Sequence, residues 1–125
     1  MNLDNDPNNI KRRKKEFKMN KVSIVGRLVS DVKLRQTESG KFVGSVTVAV
    51  QRNYKNANGD YESDFPQVVI WGKQAEIVAE HVKKGHMVGF TGRIATRMYE
   101  KDGIKNYITE VIAEDFTFLQ PKPQQ

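Results

Sequence analysis

Apolar residues alternate with a period of two along most of this chain, and the period turns helical only once. The stretch FVGSVTVAVQ, residues 42–51, puts Gly44, Val46, Val48 and Val50 on one face and Val43, Ser45, Thr47, Ala49 and Gln51 on the other. That is the signature of a half-buried β-strand. KVSIVGRLVS begins an earlier strand near Lys21, with Gly26 expected at a bend or bulge. DFPQVVIWGK, residues 64–73, gives a third strand with Pro66, Val68 and Ile70 as its compact core face. Then KQAEIVAEHVKKG, residues 73–85, gathers Ala75, Val78, Ala79 and Val82 on one helical stripe, and Gly85 supplies the stop. Alternation returns in HMVGFTGRIATRMYE, with Val88, Phe90, Ile94 and Met98 expected inward, and continues in IKNYITEVIAEDFTFL. Turns are expected in TESGK around Gly40, at Asn58-Gly59 within the polar loop NYKNANGDYESD, and at Asp102-Gly103.

Three strands, one helix and two strands define an all-β class: a five-stranded OB-fold barrel with one α-helix between strands 3 and 4. Such barrels bind oligonucleotides or oligosaccharides on one face and its loops. With 125 residues and no internal repeat, one domain is expected, and residues 19–119 are its extent. The absence of cysteine removes disulfide frameworks, thiolate metal sites and cysteine nucleophiles together. No apolar run reaches the roughly 20 residues of a membrane span, and no segment near the start resembles a signal peptide. A cytoplasmic protein without a membrane partner is expected.

The formal charge of +6 suits a polyanionic partner, but it is unevenly spread. Residues 1–18, MNLDNDPNNIKRRKKEFK, carry six Lys or Arg against three acids, half of the excess. They are expected to form a disordered basic extension. Lys15-Glu16 can be encoded as AAG-GAG, a ribosome-binding sequence just ahead of Met19, which makes Met19 a candidate natural start. Residues 120–125, QPKPQQ, are expected to be a short flexible tail.

The strands carry rings that their core face does not need. In the third strand Phe65, Gln67, Val69 and Trp71 lie opposite the compact aliphatic set, and in the fourth Arg93, Arg97 and Tyr99 do the same. Tyr54 sits at the foot of the polar loop, flanked by Arg52 and Lys55, and Lys73 and Lys84 flank the helix. Aromatics favour strands for packing alone, and Phe42, Phe90, Phe116 and Phe118 are assigned to packing. Several rings and cations gathered on non-core faces point elsewhere. A flat ring stacks on any unpaired base, while Lys and Arg follow the phosphates. A duplex reader would insert a helix or ribbon bearing hydrogen-bonding groups, and the single helix, with Glu76, Glu80 and Lys83 outward, offers none.

Catalysis finds no support. His81 and His86 lack metal-ligand spacing, no glycine-rich phosphate loop is present, and no carboxylate cluster suggests a nuclease metal site. Neither metal nor cofactor is expected. Two other readings stay open: an OB-fold interaction module of a replication complex, and an RNA-binding protein, because stacking does not read the 2′-OH.

The stretches NKVSIVGRLVSD, VTVAV, VVIWGKQAEIVAEHVKKG, GRIATRMY and YITEVIAE, in this order and spacing, resemble the bacterial and phage single-stranded-DNA-binding protein family. The resemblance implies sequence-independent binding and protection of single-stranded DNA in replication, recombination and repair, by a nucleoid-associated homotetramer. It implies base-stacking roles for Tyr54, Phe65, Trp71 and Tyr99, and phosphate-contacting roles for Arg35, Lys73, Lys84 and Arg97. Arg93 and Lys55 join them from face and loop position. Ala95 stands where some members carry arginine. Many members end in an acidic tail with an apolar tip that recruits repair enzymes. QPKPQQ is neither acidic nor apolar, so the chain resembles a tailless member and tail-mediated recruitment is not expected.

Overall fold

The computed structural model describes residues 16–119. The expectations for residues 1–15 and 120–125 lie outside the described residues. Among the described residues, seven strands and one helix follow one another: β1 (Val22–Leu28), β2 (Lys33–Gln36), β3 (Phe42–Lys55), β4 (Tyr61–Asp64), β5 (Gln67–Trp71), α1 (Lys73–His81), β6 (Met87–Lys101) and β7 (Ile104–Phe118). Five of them close a barrel in the order β1-β6-β7-β5-β3, with β3 returning to β1. All pairs are antiparallel except β5 with β7. The helix lies between the third and fourth barrel strands, which is the OB-fold arrangement expected from the period change.

Closure depends on β1 changing partners. Its first part pairs with β6 from Val22↔Gly92 to Arg27↔Met87, and its end pairs with β3 at Arg27↔Ala49 and Leu28↔Val48. The strands approach so closely at Gly26 that a Cβ there would lie 2.4 Å from the Ala49 carbonyl oxygen. Only glycine permits this crossing.

Two strands were not anticipated from the sequence. β2 forms a hairpin with β3 around Gly40, and β4 pairs with the far end of β3 inside what reads as a polar loop. β4 and β5 share one register against β3, from Val43↔Trp71 to Gln51↔Ser63. They are one long strand broken at Phe65–Pro66, where proline has no N–H to donate. Polar composition hid β4 because its hairpin arm stands outside the barrel, with no core face to cover.

The core is aliphatic: Val46 and Val48 of β3, Val68 and Ile70 of β5, Val88 and Phe90 of β6, and Val111 of β7 are all buried. α1 plugs the barrel with Ala75 and Val78, followed by Val82 just past its end. Ile94 and Met98 are a correction. They keep the parity of Val88 and Phe90 but are about half exposed. The register slips between Thr91 and Gly92, where β7 has Glu114 in excess. Beyond this bulge the β6–β7 ribbon runs past the barrel, and among the described residues none covers its former inner face. Of the phenylalanines assigned to packing, Phe118 is exposed but lies against Phe116 and, at 5.7 Å, against the His81 ring.

Candidate nucleic-acid interface

Strand register decides which side chains share the outer face of the sheet. Arg35 opposes Val43, and Val43 opposes Trp71. Val69 opposes Ile112, and Ile112 opposes Arg93. Two residues on, Glu110 opposes Ala95, then Ile108 opposes Arg97 and Asn106 opposes Tyr99. One surface therefore crosses β2-β3-β5-β7-β6 and carries Arg35, Trp71, Arg93, Arg97 and Tyr99 together.

A groove of about 310 Å³ opens on this surface, lined by Arg35, Trp71 and Arg97 over a floor of Val43, Val69 and Glu110. Ser45 and Gln67 continue it into a second recess beside Lys33. The indole is 41% exposed, with a guanidinium on either side in the strand order. Tyr99 is likewise 41% exposed, Phe65 63% and Tyr54 61%. None of these rings belongs to the core.

The remaining expected residues lie farther out. Phe65 stands at the β4–β5 break, two residues before Gln67 of the groove. Tyr54 and Lys55 sit on the β3–β4 arm, where the Lys55 ammonium lies 5.7 Å from the centre of the Tyr61 ring. Lys73 opens α1, directly after Trp71 and Gly72. Lys84 is at the helix's other end, its backbone N–H donating to Asp31 Oδ1 at 2.7 Å, and it is not part of the groove lining.

The arginines differ in what they have left to offer. Arg52 is spent on acids: Nη2 donates to Asp64 at 2.9 Å, Nη1 to Glu62 at 3.0 Å, and Nε lies 3.2 Å from Asp64 Oδ2. Hydrogen bonds from Arg52 hold the Asp64 carboxyl below its usual range, and the same bonds push the guanidinium up. This pairing ties the arm together, engages all three nitrogens of Arg52 and corrects its expected place among the free cations: two carboxylates already neutralise its charge. Arg97, by contrast, donates only Nε, to Glu110 Oε1 at 2.9 Å. Both its Nη groups are without a hydrogen bond among the described residues, and its side chain is 54% exposed.

Three groove residues escaped the sequence reading. Lys41 holds its ammonium 5.5 Å from the centre of the Trp71 ring, a cation–π approach. Lys33 lines the second recess, and would have been found had β2 been recognised and its alternation with Arg35 followed. Glu110 left no signal, because a lone carboxylate in a strand reads as solvated surface.

Among the described residues no group of three or more His, Asp or Glu could hold a metal ion, and no helix is long and apolar enough to cross a membrane. His81 is taken up by the Ile77 carbonyl and His86 by the Lys83 N–H.

Residues 19–119 match the model of the single-strand binding protein family. The single-stranded DNA-binding protein B of Bacillus subtilis is 46% identical over 107 residues, covering 85% of this chain and 95% of that protein. A single-stranded DNA-binding protein of Streptococcus mutans is 48% identical and single-stranded DNA-binding protein 2 of Listeria monocytogenes 50%, each over 105 residues and 83% of this chain. The chain spans only 64% and 66% of the length of those two.

Proposed function

Since the chain belongs to the single-strand binding protein family, we propose that it binds unpaired DNA without sequence preference and shields it during replication, recombination and repair. Bases stack on Trp71, Tyr99, Phe65 and Tyr54, while Arg35, Arg93, Arg97, Lys55, Lys73 and Lys84 meet phosphates. Lys33 and Lys41 extend that cationic track. The observation that carries this reading is the groove itself, an exposed indole flanked across the sheet by two guanidinium groups. Every base has a π-face, so stacking tolerates any sequence, and only unpaired strands present that face. The family and the relatives named above are described by binding, and none by a catalytic activity.

Trp71 is the only tryptophan, so its fluorescence reports one site. Titration with oligo-dT at two salt concentrations is expected to quench it strongly. Affinity should fall with salt at a log–log slope of about −0.7 per phosphate neutralised. Unmoved fluorescence would favour a module that binds only protein. Competition between matched DNA and RNA strands separates the two nucleic acids, because stacking by itself does not read the 2′-OH.

Self-association belongs to the same proposal. Ile94, Met98 and Tyr107 share one face of the β6–β7 ribbon, opposite Arg97 and Tyr99, and all are exposed. Apolar side chains uncovered together suit a second copy better than water, and a homotetramer would bury them. The Ile94→Asp/Met98→Asp double variant is expected to lower the mass measured by sedimentation. A wild-type monomer, or a variant of unchanged mass, would count against that face.

A further inference from the structure

Glu110 is the only buried charged residue among the described residues, 6% exposed, and it forms part of the floor beneath Trp71. Its Oε1 accepts Arg97 Nε at 2.9 Å, and its Oε2 has no hydrogen-bond partner. On ordinary grounds a carboxylate is misplaced here. Burial strips its hydration, and an oxygen left without a donor recovers none of that loss. Its negative charge also opposes the phosphates that the surrounding cations attract. Neither stability nor charge accounts for it.

Its geometry does. A guanidinium held at Nε has lost rotation about its stem, and both Nη groups of its end edge stay free for one phosphate. We infer that Glu110 is the positioning residue for Arg97: its buried carboxylate clamps Nε so that the two Nη donors face the groove as a fixed fork. The inference rests on the proposed phosphate role of Arg97. An unclamped Arg97, half exposed on the ribbon, would have to be ordered each time a strand bound, at a cost in affinity.

The partners are not equivalent as targets. Removing Arg97 alone strands a buried carboxylate without its donor and endangers the fold. Removing the Glu110 carboxylate leaves only a half-exposed guanidinium, which water solvates. The test therefore measures oligo-dT affinity at low salt, and thermal unfolding, for E110Q, E110M, E110Q/R97A and E110M/R97A. The Gln amide oxygen still accepts Nε–H, so E110Q is expected to bind within about threefold of wild type. E110M should bind about tenfold more weakly while unfolding at no lower temperature. R97A should cost about tenfold in the E110Q background and almost nothing in the E110M background. Wild-type affinity in E110M, or E110Q binding more than about tenfold tighter than wild type, would overturn the clamp. No effect of R97A on E110Q would instead remove Arg97 from the phosphate track, a separate result.

Discussion

Trp71→Ala is expected to weaken oligo-dT binding by about 1–3 kcal/mol, and to do so by a similar factor for other sequences. In affinity this is about fivefold to 150-fold. The indole sits at the centre of the groove, with Arg35 and Arg97 on either side and Lys41 near its face. Its loss removes a stacking platform and leaves the phosphate contacts in place. The salt slope should therefore stay close to wild type while the whole line drops. The side chain is substantially exposed and stands on the face away from the barrel core, so the unfolding midpoint should move little. A variant that binds as tightly as wild type would end the stacking role of Trp71. One that loses affinity together with salt dependence would show that the residue arranges cations instead. Trp71→Phe should recover most of the loss, because a smaller ring retains a π-face.

Gly92→Ala should produce the largest loss of stability. A Cβ at this position would lie 1.9 Å from the Ile112 carbonyl oxygen and 2.9 Å from its carbon, both backbone atoms within the β6–β7 ladder. No rotamer relieves a backbone clash, so the ribbon would have to open at its bulge. A loss of about 3 kcal/mol or more is expected, lowering the midpoint by at least roughly 12 °C for a domain of this size. Gly89→Ala, on the same strand, is the control. Its Cβ would meet Val25, Leu119 and the Ile24 carbonyl at 3.6–3.8 Å, ordinary contact distances. That substitution should cost less than about 1 kcal/mol. Equal midpoints for the two variants, at one protein concentration, would mean that the bulge at Gly92 yields freely. The consequence would reach function as well, because the bulge aims the part of the ribbon that carries Arg93, Arg97 and Tyr99.

Alternation alone said which side chains a strand can send to the same side. It placed Val68 and Ile70 in the core, left Phe65 and Trp71 outside it, and put Arg93, Arg97 and Tyr99 on a common face. The change of period located the helix between the third and fourth barrel strands. These are consequences of side-chain geometry within one strand or one helical turn, so a single segment holds all the information needed. Local pattern failed where the tertiary environment ended. Ile94 and Met98 keep the inward parity, yet the barrel stops at Gly92 and their face is uncovered. β4 exists because its arm pairs with the far end of β3, whatever its polarity.

Which residues meet across strands was decided by the fold. Arg35, Trp71 and Arg97 come from three separate segments, and only the register of β2 on β3, β3 on β5, the parallel pairing of β5 with β7 and the register of β7 on β6 set them around one groove. The clamp of Glu110 on Arg97 and the approach of Lys41 to Trp71 have the same origin. Local sequence sets the side to which a residue points. Its neighbours there depend on how distant strands align to bury one aliphatic core, and that alignment belongs to the closed barrel as a whole.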